Sequence, residues 1–281
     1  MNEMIFDLTN IRIEISFKSF EELRLLLSFY QKININKINI PCKNNLKKDF
    51  LLDSIKISKE EFPSLDLIPH FSIQHEFKRN RFNTLNSFIN FLEFVKSLGV
   101  KEVLLISGSQ KRSTLNSVST LSYLRDNTTF SNSDFSIGVA FNPYLTGFLF
   151  EEEIIKLEKK IQSGIVKSIW LQFGTDLIVL ENRIQTLKNI ITSSNKSYLV
   201  KDNIMLFGSI LIPSRQFLAR FKYRPWKGVY CSHEFLESLE YANSFIKKLL
   251  EIYKKNNICP IVETDVSTIG KLNSLENILK V

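Results

Sequence analysis

Between Phe135 and Asp176 the apolar positions change their period twice. Ser136 to Val139 and Ile165 to Phe173 are near-continuous apolar runs, the pattern of parallel strands covered on both faces. Between them Ile154, Leu157 and Ile161 recur at helical spacing and form one apolar stripe on a charged segment. Glu151, Glu152 and Glu153 open that segment, Lys159 and Lys160 close it, and Gly164 follows. Charges so placed oppose the helix dipole at both ends, and the glycine supplies a residue that ends a helix. The stretch of about forty residues therefore predicts a strand, a helix and a second, parallel strand.

The same alternation recurs eight times. Strands are predicted near Ile11 to Ser16, Lys37 to Ile40, Leu65 to Gln74, Glu102 to Ser107, Phe135 to Phe141, Val166 to Phe173, Ile204 to Leu211 and Ile258 to Glu263. The clearest helices are predicted at Phe20 to Gln31, Leu85 to Leu98, Glu151 to Ser163, Leu180 to Ile191 and Phe235 to Tyr253. Shorter ones are expected at Ser214 to Phe221 and Leu272 to Leu279. Eight strand–helix units in a chain near the usual ~250 residues predict an α/β fold of the (β/α)8 TIM barrel type rather than an open doubly wound sheet. FKSFEEL follows the first strand without a glycine, so the Gly-rich dinucleotide fingerprint of the open sheet is missing.

Composition adds boundaries. The 281 residues are 44% hydrophobic, enough for one large core, and no Pro/Ser/Gly-rich linker divides them, so a single barrel domain over 1–281 is expected. A formal charge of +8 suits anionic ligands, but the basic residues read as spread along the chain, without the clustering of a nucleic-acid binder. Cys42, Cys231 and Cys259 are odd in number and far apart, which disfavours a disulfide framework. The amino terminus lacks an apolar signal core, and no window reaches the length of a membrane span, so a cytoplasmic protein without membrane contact is expected.

In a barrel the chemistry sits where strands end. Ile11, Ile13 and Ile15 share one face of the first strand; turned to the helices, they leave Glu14 pointing inward with Arg12 and Ser16. A carboxylate held there without a cation has its charged form disfavoured and becomes a proton donor; a lumen salt bridge with Arg12 or a lysine is the alternative. His70, Ser72 and Gln74 fall on one face of the third strand, either as a ligand-facing wall or with His70 as a hydrogen-bonded core residue. His75 with Glu76 and Cys231 with His233 lack a second pair at metal-ligand spacing, so no metal is expected. Ser107, Gly108 and Ser109 put small groups at a strand end, with Lys111 and Arg112 beyond. Gln172, on the face of Trp170, offers an amide able to read a donor–acceptor edge such as a pterin's.

The order of these motifs resembles the methylenetetrahydrofolate reductase family over most of the chain. RIEISF carries a first-strand glutamate, IPHFS is similar to the family's PHLT strand, and LGVKEVLLISGS to the strand that ends in RGD. FSIGVAFNP, KLEKKIQSGIVKSIWLQFGTD and FGSILIPSRQFLARF resemble three further family segments. The resemblance implies a flavoprotein reductase that binds FAD, takes hydride from NADH or NADPH and converts 5,10-methylenetetrahydrofolate to 5-methyltetrahydrofolate. It assigns Glu14 as the catalytic acid, Gln172 and Ser109 to the folate substrate, and His70, Ser107, Asn142, Glu153, Lys159 and Lys160 to FAD. Ser107 and Ser109 stand where the family has Arg and Asp, Pro41 near its threonine, Asn142 in place of its tyrosine, and Thr146 in place of a histidine. A tetrahydrofolate-binding methyl-transfer enzyme without flavin, and a non-catalytic barrel serving as a partner subunit, stay open beside the reductase, as does assembly as a homo-oligomer.

Overall fold

The computed structural model describes residues 5–42, 48–76, 81–107, 115–127, 135–197 and 204–280. Ser109, with Gly108, Lys111 and Arg112, lies outside the described residues. Eight strands, β1 (Arg12–Glu14), β2 (Lys37–Ile40), β3 (Asp66–Ser72), β4 (Glu102–Ile106), β5 (Ser136–Phe141), β6 (Val166–Leu171), β7 (Met205–Ile210) and β8 (Ile258–Val262), close into a barrel in chain order. Every neighbouring pair is parallel, including the closing pair β1 and β8.

The helices that cover the strands are α1 (Phe20–Lys32), α2 (Lys48–Glu61), the short α3 (Ile73–Glu76), α4 (Arg81–Ser97), α5 (Ser117–Asn127), α6 (Gly147–Gln162), α7 (Leu177–Ser197), α8 (Arg215–Tyr223), the short α9 (His233–Glu237), α10 (Leu239–Lys255) and α11 (Ile269–Leu279). Their starts follow side-chain chemistry: Ser19, Ser214 and Thr268 each accept from the backbone N–H three residues on, satisfying a donor the helix leaves open.

Three expectations change. Strand three stops at Ser72, because its partner β4 ends opposite at Ile106; Gln74 therefore sits in α3, off the strand face of His70 and Ser72. The long helix expected over Phe235 to Tyr253 is broken at Ser238, which is extended (φ −123°, ψ 121°) and caps α10 through Tyr241 N, the local alternative serine offers to a continuous helix. α6 starts at Gly147, so Glu151 to Glu153 lie beyond its first turn and interact less with the dipole than the sequence suggested. Gly164 does take the left-handed conformation expected of it, at φ +77°.

Two apolar layers result. Ile11, Ile13 and Ile15 are buried in the large cluster between strands and helices. Ile68, Leu104, Trp170, Phe207 and Ile261 form a second cluster, separate from it, and they alternate with outward residues so as to fill the lumen. Trp170 stacks on Phe207 at 4.1 Å and 17°. The indole needs a gap on the neighbouring strand β5, and Gly138 provides it: a Cβ there would stand 2.4 Å from Trp170 Nε1. The lumen is thus plugged, and only its rims are open to ligands.

Candidate functional site at the carboxyl ends of the strands

Arg12 and Glu14 alternate with the outward isoleucines of β1 and so enter the lumen, as expected. Arg12 is 2% exposed. Its Nε donates to Asn39 Oδ1 at 2.8 Å, its Nη1 to Asp66 Oδ2 at 2.7 Å, and its Nη2 to Asp66 O at 2.7 Å. Arg12, one of the partners considered for Glu14, therefore pairs with Asp66, at the opposite end of the lumen layer. Asn39 in turn places Nδ2 3.0 Å from His70 Nε2.

This chain of contacts has one consistent set of protons. A guanidinium only donates, so the Asn39 oxygen faces Arg12 and its NH2 faces His70. An NH2 likewise only donates, so His70 Nε2 accepts and the neutral ring carries its proton on Nδ1. That nitrogen stands 3.9 Å from Glu14 Oε2, outside hydrogen-bond length but close enough for one group to sense the other's charge. Glu14 and His70, read separately from the sequence, thus meet at the mouth as an acid–imidazole pair, and Asn39 and Arg12 orient the imidazole. Asn39 was not among the expected residues; its place on the inward face of KINI, with Lys37, was the available signal.

The other wall of the mouth holds a cleft of about 430 Å3 at the ends of β3 to β6, lined among others by Ser72, His75, Ser107, Glu153, Lys160, Gln172 and Lys227. Gln172 follows Trp170 by two residues and so points the same way. Glu14 is not part of this lining; it belongs to the β1 side and meets His70, whose ring lies edge-on to Trp170 at 6.4 Å. Cys42 Sγ lies 3.6 Å from His75 Nδ1.

Most positions assigned to FAD are committed within the chain. Ser107 Oγ donates to Ser117 Oγ at 3.0 Å and accepts from Ser117 N at 2.9 Å, tying β4 to the start of α5. Asn142 spends its amide on Gly228 O at 3.0 Å and its oxygen on Tyr144 N at 3.0 Å. Glu153 accepts from Asn142 N at 3.2 Å. Lys160 is buried, with Nζ donating to Ala140 O at 2.9 Å; burial pulls its pKa down, and Glu153 opposes that. Lys159 is exposed on the outer side of α6. These groups hold loops and strand ends, and among the described residues these positions form no cradle of free donors for a diphosphate.

Among the described residues no group of three or more His, Cys, Asp or Glu is arranged to hold a metal ion, and no helix is long and apolar enough to cross a membrane. No protein-family profile matches the chain, and no curated sequence matches it. Solved structures do resemble it. A protein from Clostridium thermocellum that binds two copies of 5-methyl-5,6,7,8-tetrahydrofolic acid is 12% identical with a TM-score of 0.64, over 96% of this chain and 93% of that one. A 2,3-dimethylmalate lyase of the PEP mutase/isocitrate lyase superfamily is 11% identical, with a TM-score of 0.55 over 95% and 77%. A phosphonomutase-like protein from Burkholderia cenocepacia is 5% identical, with a TM-score of 0.52 over 96% and 91%. At such identities the likeness establishes the barrel fold, which many unrelated activities share.

Proposed function

We propose that this barrel binds a reduced folate at the carboxyl-end mouth and acts on its methyl group by transfer, without a flavin. The observation that carries the reading is the Glu14–His70 pair, 3.9 Å apart at the lumen mouth, with the imidazole proton directed toward the carboxylate by Asn39 and Arg12. In such a transfer a nucleophilic acceptor bonds to the methyl carbon as the carbon–nitrogen bond breaks, its electron pair stays on the pterin nitrogen, and a proton delivered there leaves that nitrogen a neutral amine. Glu14 and His70 supply and hold such a proton. Gln172 suits the pterin's amide edge, which has both donors and acceptors. The fold likeness to a protein that binds 5-methyl-tetrahydrofolic acid supports the same ligand class.

A flavin-dependent reductase is the second reading. Lys160, Glu153 and Gln172 favour it, because all three line one cleft. Against it stand the internal commitments of Ser107, Asn142 and Lys160.

Titration of the purified protein with 5-methyltetrahydrofolate separates the readings. A colourless protein that binds it supports the proposal, and visible flavin absorbance that co-purifies supports the reductase. Binding of neither ligand overturns both. Glu14→Gln is expected to retain folate binding and lose turnover; unchanged turnover rejects the role given to Glu14.

A further inference from the structure

The segment from Arg215 to Tyr230 departs from the even spread of charge read in the sequence. Arg215, Arg220, Lys222, Arg224 and Lys227 fall within it, interleaved with aromatic residues, and it contains no Asp or Glu. All five basic residues are exposed. Lys222 is paired with Glu237, while Arg215, Arg220 and Arg224 make no ion pair among the described residues.

Two connections hold this segment against the mouth, and a third folds it on itself. Tyr230 bridges to Gly174 just past β6, and Thr175 N donates to Tyr230 O at 3.1 Å. Asn142 Nδ2, just past β5, donates to Gly228 O at 3.0 Å. Trp226 packs on Phe217 and Phe221 at 5.8 and 6.0 Å, which ties the loop back onto α8. Lys227 therefore reaches the lining of the Gln172 cleft, and the exposed Arg224 and Arg220 precede it on the same segment.

We infer that this basic strap binds the anionic glutamyl tail of the folate whose pterin occupies the mouth, and so selects poly-γ-glutamylated forms. The inference rests on the folate reading. Its physical basis is that a folate is polar and flat at one end and carries carboxylates at the other. A ligand with its pterin by Gln172 sends those carboxylates out past Lys227. Guanidinium groups bind carboxylates through paired hydrogen bonds, and each added γ-linked glutamate brings one more charge within reach.

The test compares 5-methyltetrahydrofolate carrying one glutamate with the same compound carrying three, by isothermal titration at low and moderate salt. The triglutamate is expected to bind at least about tenfold tighter at low salt, and that advantage should shrink as salt screens the exposed arginines. In an Arg220→Gln/Arg224→Gln variant the advantage should fall to about twofold or less, while Arg224→Lys alone retains most of it. Equal affinity of the two compounds for the parent protein overturns this inference and leaves the folate reading standing, whereas binding of neither overturns both. Salt-sensitive binding of a single-stranded oligonucleotide that the double variant loses, with no preference for the triglutamate, also overturns it, since the strap would then serve nucleic acid.

Discussion

Along β1, β2 and β3 the polar side chains facing the lumen bond to one another, from Asp66 through Arg12 and Asn39 to His70, with Glu14 beyond. Around the ends of β4 and β5 residues of similar chemistry instead tie strands to neighbouring loops and helices: Ser107 to the first residue of α5, Asn142 to Tyr144 and Gly228, Lys160 of α6 to Ala140 of β5. The two walls serve different ends. A side-chain relay fixes the protonation of a ring aimed into a cavity, whereas bonds into neighbouring loops and helices fix where those segments lie. The first wall is built for chemistry and the second for shape and for carrying the strap.

The largest expected effect falls at Arg12. Arg12→Leu removes the only cation buried in the relay and releases both Asp66 and Asn39, so a loss of about 3 kcal/mol is expected in urea unfolding, with the half-exposed Asp66 keeping it at the low end for a broken buried pair. If Arg12→Leu is as stable as the parent, the relay is not a structural unit. Gly138→Ala comes next. Its Cβ would sit 2.4 Å from Trp170 Nε1 and 2.6 Å from Ser168 Oγ, so overpacking of the lumen plug should cost about 1–3 kcal/mol, read in the same titration, and a neutral result would mean that the plug yields.

On the second wall, Asn142→Ala should cost about 1 kcal/mol through two lost hydrogen bonds at a partly exposed site. It should also loosen the strap, seen as faster amide exchange around Gly228. Protection there that stays unchanged would show that Tyr230 and Trp226 hold the strap without it.

The smallest effect concerns pH. Glu102 accepts from Ser168 within the lumen, and burial raises its pKa, with Ser168 and Arg12 partly opposing. The folded protein therefore holds that proton more tightly than the unfolded chain does. Stability falls as pH rises from the ordinary glutamate range through the raised folded value, and is unaffected by this group below that range. Glu102→Gln should flatten this slope and gain on the parent as pH increases; parallel stability curves would refute the assignment.

Glu14, His70 and Gln172 were legible because strand alternation is a local property. Once the isoleucines of β1 are turned toward the helices, Glu14 has only one other direction to take. α2 and α5 were harder to see because their serines, joined in α5 by Thr120, compete with the helix through their own hydrogen bonds. In the fold Ser54, Ser58 and Thr120 turn those bonds back onto carbonyls four residues earlier, and burial of Leu51, Ile55, Leu121 and Leu124 holds the helices. The plug of Trp170 and Phe207 was invisible, since nothing in WLQFGTD reveals which side chain from β7 or which glycine from β5 lies beside it.

The one-dimensional pattern determined the alternation of strand and helix, the barrel it closes into, and the inward direction of an acid on β1 and an amide on β6, because periodicity follows from backbone geometry within a few residues. Only the tertiary structure decided that Arg12 goes to Asp66 and not to Glu14, that Asn39 sets the proton of His70, and that the basic segment after β7 is strapped beside the cleft. Those outcomes depend on pairings between residues 27 to 86 positions apart. Hydrogen-bond partners are chosen by distance in space, and closure of the barrel is what supplies it.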